Sequence, residues 1–252
     1  MTHDEKVELA RELTRRLLVR HGEDAIVAVG LHGPVARGDD TGDAGLDVAV
    51  ITAGPQVVVP ERSLRHRGTV VDLGAIWADA YLEEAGQIGP AWPLAADQYV
   101  HHLALHDPDG FFHKLRHVHQ TAVDTAPDEV FAAAAGYDLV QLIAWEARAR
   151  SAELHGDVPG ALLAVKEAAV LCALVIGLAT RTSYHDAAHA VRAAALAETA
   201  PPGFAEPYRR LLSPATDPAS AVIALGRVVA ALTAFAYREG IPFETEDLDV
   251  FL

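Results

Sequence analysis

Leu9, Leu13 and Leu17 recur every four residues between Asp4 and His21, with Ala10 and Leu18 beside them and charges on the other face. That spacing predicts an amphipathic helix, stopped by Gly22. Ala25 to Leu31 is a continuous apolar run of strand length, and a glycine- and aspartate-rich loop spans His32 to Gly45. A second apolar run, Leu46 to Ile51, follows at once. A third, Thr69 to Leu73, comes after the turn-rich stretch Gly54 to Gly68. Helix, strand, glycine-rich loop, strand and strand predict an α+β arrangement around a small mixed sheet.

From about residue 75 the pattern turns helical. Helices are expected over Ile76 to Gly86, Gln98 to His106 and Phe111 to Ala122, separated by Gly89-Pro90, Trp92-Pro93 and Asp107-Pro-Asp-Gly110. A long alanine-rich helix opens at Asp128 and runs to about His155. Ala161 to Thr180, Tyr184 to Thr199, Phe204 to Leu212 and Pro218 to Glu239 complete a predicted antiparallel helical bundle. The expected division is therefore residues 1–125 for the α+β domain and 126–252 for the helical one. The most apolar stretch, Ala161 to Ala179, is interrupted by Lys166 and Glu167 and reads as a buried helix.

Composition narrows the function. The chain has 252 residues and a formal net charge of −15, which argues against a nucleic-acid-binding surface and against adhesion to an anionic membrane. A cationic small molecule would be drawn to such a surface. The charged N-terminus has no apolar core of a signal peptide, so a cytoplasmic protein is expected. Cys172, the only cysteine, lies in an apolar run and reads as a small core residue. The 13 histidines include His101, His102, His106 and the pair His185/His189, but no His-Glu-x-x-His pattern accompanies them, and they read as surface or packed residues. Trp77, Trp92 and Trp145 read as core or interface anchors.

The stretch from Val29 to Ile51 carries the chemistry. A strand ending at Gly33 before a short helix lets backbone N–H groups approach phosphate oxygens, and Arg37 follows one turn later. Asp47 and Asp72 both sit inside apolar strand runs. Such carboxylates either pair with arginines at a sheet end or supply oxygen ligands to a phosphate-bound Mg²⁺.

Several pieces together resemble one family. They are Val29-Gly-Leu-His-Gly33 with Arg37; Val70-Val71-Asp72; Ala91-Trp-Pro-Leu94 with Gln98; Asp107-Pro-Asp-Gly110; Ile176-Gly-Leu-Ala-Thr-Arg181 with Tyr184; and Pro202-Gly-Phe204. In order and spacing they resemble the aminoglycoside (kanamycin, 4′-O-) nucleotidyltransferases. The resemblance implies a nucleotidyltransferase-like domain followed by a helical domain, and a homodimer with active sites near the subunit interface. It implies Mg²⁺-dependent transfer of a nucleoside monophosphate from ATP or another NTP to an aminoglycoside hydroxyl. Gly33 and Arg37 would then bind the triphosphate, Asp47 and Asp72 the metal, and Gln98 the acceptor.

The motif also departs from the family. Pro34 stands where a serine is usual and removes an N–H donor; Gly45 replaces the first of two alternating acids. Asp43, of the same strand parity, is the nearest substitute ligand. The expected base position falls on Ala144, so Glu146 serves only with a two-residue shift, about 200° around a helix. Glu146 with Arg150 also fits an ordinary helix ion pair. These departures support an alternative: a repurposed relative that keeps the fold and binds or converts another small molecule in the cleft between its halves.

Overall fold

The structure, a computed structural model, describes residues 1–245. It comprises two units, Met1–Gln87 with Ala95–Thr125, and Ile88–Leu94 with the chain from Ala126 onward. The short segment 88–94, expected in the first domain, belongs with the second. Residues 246–252 of the expected helical domain lie outside the described residues.

In the first unit the elements are α1 (His3–His21), β1 (Ile26–His32), α2 (Gly33–Arg37), β2 (Leu46–Thr52), β3 (Arg62–His66), β4 (Thr69–Trp77) and α3 (Ala78–Ala85). The short α4 (Trp92–Ala95) crosses the division. Then come α5 (Asp97–Val100), β5 (Leu103–His106) and α6 (Phe111–Thr125). The sheet order is β3-β4-β2-β1-β5, with β2 and β4 parallel and every other pair antiparallel. This is the expected mixed sheet of an α+β domain.

Alternation along the strands divides the core in two. Val29 and Leu31 of β1, Leu46, Val48 and Val50 of β2 and Leu73 of β4 pack with Val7, Ala10 and Leu17 of α1. Ala28, Ala49 and Ile51 face the other way, onto Tyr81 and Ala85 of α3 and Phe111, Phe112 and Leu115 of α6. Gly30 shares this second face, and a Cβ there would come within 2.7 Å of the Phe112 ring. The glycine lets the aromatic layer lie directly on β1.

Two helices expected from the sequence give up residues to strands. Ile76 and Trp77 extend β4, because the parallel ladder with β2 continues to Thr52↔Trp77 before α3 begins. Trp77 is consequently 41% exposed, not an anchor. Leu103 and Leu105 alternate at period two and form β5 on the open edge of β1, leaving only Asp97–Val100 helical. β3 escaped the sequence reading because all five of its residues are exposed, so it has no apolar signature. It is a hairpin partner of β4, joined through Arg67 and Gly68, both with positive φ.

The second unit contains α7 (Asp128–Leu154), α8 (Val158–Ala179), α9 (Ala187–Leu196), α10 (Ala205–Leu212) and α11 (Pro218–Glu239). α7 packs most extensively on α8, and the short connection between them makes them antiparallel neighbours. Asp157 caps α8 and Asp186 caps α9, each accepting from the backbone N–H three residues on. That cap delays α9 relative to expectation, since the Tyr184 N–H is already donated to Pro93 at 2.6 Å. Trp92 meets Phe131 edge-on at 5.2 Å, which is how 88–94 joins this unit. Val158–Ala179 and Pro218–Glu239 are long and apolar enough to cross a membrane by length and composition; 67% and 44% of their most apolar windows are buried. Cys172 is fully buried among them, and burial pushes its thiol pKa up.

His102 stacks on Phe112 at 4.4 Å, and neither ring nitrogen has a hydrogen-bond partner among the described residues. Burial, with His32 and Arg116 nearby, lowers its pKa from 6.5 to about 3. The unfolded chain therefore takes up this proton first, and stability is lost as pH falls from about 6.5 toward 3. At pH 5 the loss from this one group is on the order of 2 kcal/mol. Denaturant titrations at pH 7 and pH 5 should show His102→Leu losing less stability than the unsubstituted chain by that amount; equal losses would contradict this reading of the aromatic layer.

Candidate functional site

β1 ends on the face that carries α3 and α6, and the last residue of that face is His32. Its partner across the antiparallel β1–β2 pair is Asp47. Asp47 is in turn the register partner of Asp72 across the parallel β2–β4 pair, and Asp72 of Ser63 on β3. His32, Asp47 and Asp72 thus form one row across three adjacent strands, on the face opposite α1. Neighbouring strands lie about 4.8 Å apart, so side chains in a row are near neighbours.

Gly33 opens α2 with φ +72°, a conformation that suits glycine. A Cβ on Gly33 would stand 2.5 Å from Asp47 Oδ2, so the carboxylate lies directly over the turn. Pro34 occupies the first turn of α2, where a missing N–H costs no helical bond. Arg37 closes the helix. Its Nη1 donates to Asp97 Oδ2 at 2.6 Å and its Nε to Asp39 Oδ2 at 3.2 Å. Asp97 is 8% exposed and also pairs with His101 Nδ1 at 2.8 Å.

The loop between α2 and β2 is tied to α1. Lys6, fully buried, donates to Asp40 Oδ2 at 2.9 Å and to the Thr41 carbonyl, and His3 Nδ1 lies 2.6 Å from Asp40 Oδ1. The hydrogen bonds from His3 and Lys6 hold the Asp40 carboxyl below the usual range. Asp43 follows in an exposed turn. The charges acting on Asp47 come from His32, Asp72 and Arg37, and Asp43 is not among them.

Burial raises the pKa of Asp47, and Asp72 adds to the rise while His32 and Arg37 oppose it. Burial lowers that of His32, against the opposing influence of Asp47, Asp97 and Asp72. Asp47, Asp97 and Asp72 thus act together on an imidazole whose charged form burial disfavours. Asp72 is exposed, not enclosed as its apolar neighbours suggested, because β3 covers only its edge.

The remaining sequence candidates lie elsewhere. Gln98 is half-buried on α5, and its carbonyl accepts from Tyr81 Oη at 3.0 Å. Glu146 is 6% exposed on α7 in the helical unit. Its Oε1 accepts from Arg150 Nε at 2.9 Å and from Arg150 Nη2, and Gly226 of α11 packs beside it. Asp97 and His32 were not singled out in the sequence. The signal for His32 was its parity with Ala28 and Gly30; Asp97 had none, since its role depends on a long-range pairing with Arg37. Asp138 on α7 was also unremarked: it is 3% exposed, Oδ2 lacks a partner among the described residues, and burial pushes its pKa up to about 7.

Comparison with known proteins adds a family context. No protein-family model matches the chain. Two curated proteins described as aminoglycoside nucleotidyltransferase (4′), from a Bacillus species and from Staphylococcus aureus, are each 23% identical to it over 208 residues. Each match covers 81% of this chain and 79% of the relative. A solved nucleotidyltransferase-like protein from Exiguobacterium sibiricum superposes with a TM-score of 0.50 at 13% identity, covering 91% of this chain and 75% of that one. The chain thus has a nucleotidyltransferase-like fold and distant homology to aminoglycoside 4′-nucleotidyltransferases.

The contact between Gly33 and the Asp47 carboxylate makes a thermodynamic prediction. Gly33→Ala should destabilise by about 1–3 kcal/mol, from the left-handed backbone and the clash together. In an Asp47→Ala background the clash is gone and only the backbone part remains, so a double-mutant cycle by chemical denaturation should show coupling. Additive effects would mean the carboxylate does not rest on the turn.

Proposed function

We propose that this protein transfers a nucleoside monophosphate from ATP or another NTP to a hydroxyl of a cationic, aminoglycoside-like acceptor, with Mg²⁺ and release of pyrophosphate. The observation that carries the reading is the in-register pair Asp47 and Asp72 beside the Gly33 turn. Two carboxylates on one face fit Mg²⁺, which takes one or two protein carboxylates and completes its shell with phosphate oxygens and water. The ion, when bound, neutralises phosphate charge as the phosphoryl group is transferred.

The chain's own residues supply the rest. Gly33, lacking a Cβ, lets the Asp47 carboxylate lie over the turn beside the place assigned to the phosphates. Arg37 is held at the end of α2 by buried Asp97, while its second partner, Asp39, is 54% exposed and can yield to a phosphate. Gln98, next to Asp97, is the side chain assigned to the acceptor; its backbone carbonyl accepts from Tyr81 Oη. Glu146, the base candidate from the sequence, is engaged by Arg150 on α7 of the other unit, and no proton transfer is assigned to it. The net charge of −15 favours a polycationic acceptor. A cytoplasmic homodimer without nucleic-acid or membrane partners belongs to the same reading.

Gly45 leaves Asp47 as the only acid of its strand in the row. An aspartate introduced at 45 would bring its Cβ to 3.2 Å from the Val70 carbonyl, a tight contact that the neighbouring backbone has to relieve by a few tenths of an ångström.

Calorimetry tests the proposal. ATP or GTP should bind with micromolar affinity only when Mg²⁺ is present, and Asp47→Asn should abolish that binding. Pyrophosphate release should then rise with the concentration of a kanamycin-type acceptor. Nucleotide binding that is absent with and without Mg²⁺ would overturn the transferase reading and favour a fold kept for binding another small molecule.

A further inference from the structure

α1 crosses one face of the first unit's sheet and packs mainly on β1, β2 and β5. The five strands span about 19 Å, whereas a helix with its side chains is about 10 Å wide. The same face of β4 and β3 therefore extends beyond the helix. Beside α1, over these strands, runs a groove of about 900 Å³, a size that suits a small organic molecule. Its floor is apolar. Leu46, Val71 and Leu64 are successive register partners across β2, β4 and β3, and Leu73 lies two residues further along β4. Leu9 and Leu13 of the α1 stripe line the helix side and stay half-buried, and Leu64 is 60% exposed.

Charge is divided between the two rims. On the α1 rim, Glu8 and Glu12 are already engaged by Arg11, Arg15 and Arg16, and Glu5 accepts from the Thr2 N–H. On the β3 rim, alternation puts Arg62 on the groove side with Leu64, and Arg67 follows in the turn to β4. Neither Arg62 nor Arg67 has a carboxylate partner among the described residues. In a chain of net charge −15, two unengaged guanidiniums at the mouth of an apolar groove run against the overall field. A second copy paired along the free edge of β3 would set this basic strand against itself, so self-association does not answer the charge.

We propose that this groove binds a small amphiphilic carboxylate, an alkanoate or aryl acid, with its apolar body on Leu46, Val71 and Leu73 and its carboxylate on Arg62 and Arg67. Such a ligand covers the half-open leucines of α1 and β3 and removes apolar surface from water at both ends of the groove. A guanidinium matches a carboxylate in a two-bonded pair, which selects the acid over a neutral or cationic molecule of the same shape. The groove lies on the α1 face of the sheet, opposite Asp47 and Asp72, so the proposal does not depend on the transfer reading.

Calorimetry on the full chain with decanoate, decanol and decyltrimethylammonium, each below its micelle-forming concentration, tests this. The probes share an alkyl chain and differ in charge. Decanoate should bind one to one, at least about tenfold more tightly than either of the others. The net charge of −15 favours the cation at any ordinary surface site, so a preference for the anion is specific to the arginine rim. Arg62→Glu and Arg67→Glu, both at exposed positions, should each weaken decanoate by about tenfold or more. Leu64→Glu should do the same by placing a carboxylate in the groove. In the unsubstituted chain, decanoate should shift the amide NMR signals around Leu13, Leu64 and Val71 before any others. Absence of decanoate binding, equal or tighter binding of the cation, shifts centred elsewhere, or indifference of decanoate to all three variants would overturn the proposal. A dimer in sedimentation that Leu64→Glu dissociates, with no decanoate bound, would overturn it too and assign the groove to a second copy.

Discussion

Two carboxylates occupy ladder partners on adjacent parallel strands, and this repulsive arrangement is the constraint around which the first unit is organised. Asp47 and Asp72 cannot turn away from each other without a change of register, because a one-residue slip would send Leu46, Val48 and Val50 out of the α1 core. The apolar residues of β2 therefore hold the acids together. Burial is the main cause of the raised pKa of Asp47, and the neighbouring Asp72 adds to it.

The surroundings keep the pair in place without neutralising it. Phe112 lies against Gly30 and supports β1 from the aromatic side, and the Gly33 turn passes beneath the Asp47 carboxylate. Buried Lys6 of α1 pins Asp40 and the Thr41 carbonyl, so its charge is engaged by the loop and not by the row. Asp97 and Asp39 engage Arg37 in the same way. Four aspartates, at 39, 47, 72 and 97, thus act on one guanidinium and one imidazole whose charged form burial disfavours. An excess of negative charge on a glycine-bounded sheet end is a setting for a metal-bound polyphosphate, which links the local electrostatics to the distant homology with nucleotidyltransferases.

Much of this was legible in the sequence, for identifiable reasons. β1 and β2 are runs of buried apolar residues, α1 has a leucine stripe, the long helices are alanine-rich apolar runs between breakers, and Gly33 and Asp47 are conspicuous where they stand. Alternation also placed Asp47 opposite Leu46 and Val48. What eluded the sequence depends on pairing. β5 was read as helix because Leu103 and Leu105 are too few to declare a period, and only the open edge of β1 decides the matter. β3 has no buried residue at all. Asp97 and His32 gain their meaning from partners 60 and 15 residues away, a separation at which no local pattern reports contact. Asp43 had the right parity but precedes the strand, where parity no longer holds.

The central claim is that one divalent ion sits on the pair Asp47 and Asp72 of β2 and β4. Backbone amide spectra recorded during substoichiometric addition of Mn²⁺ test it most directly, since paramagnetic broadening falls steeply with distance from the ion. The account predicts that signals of residues around His32, Asp47 and Asp72 broaden first and together. Broadening that begins instead along the acidic face of α1, or spreads evenly over the many surface carboxylates, would contradict it.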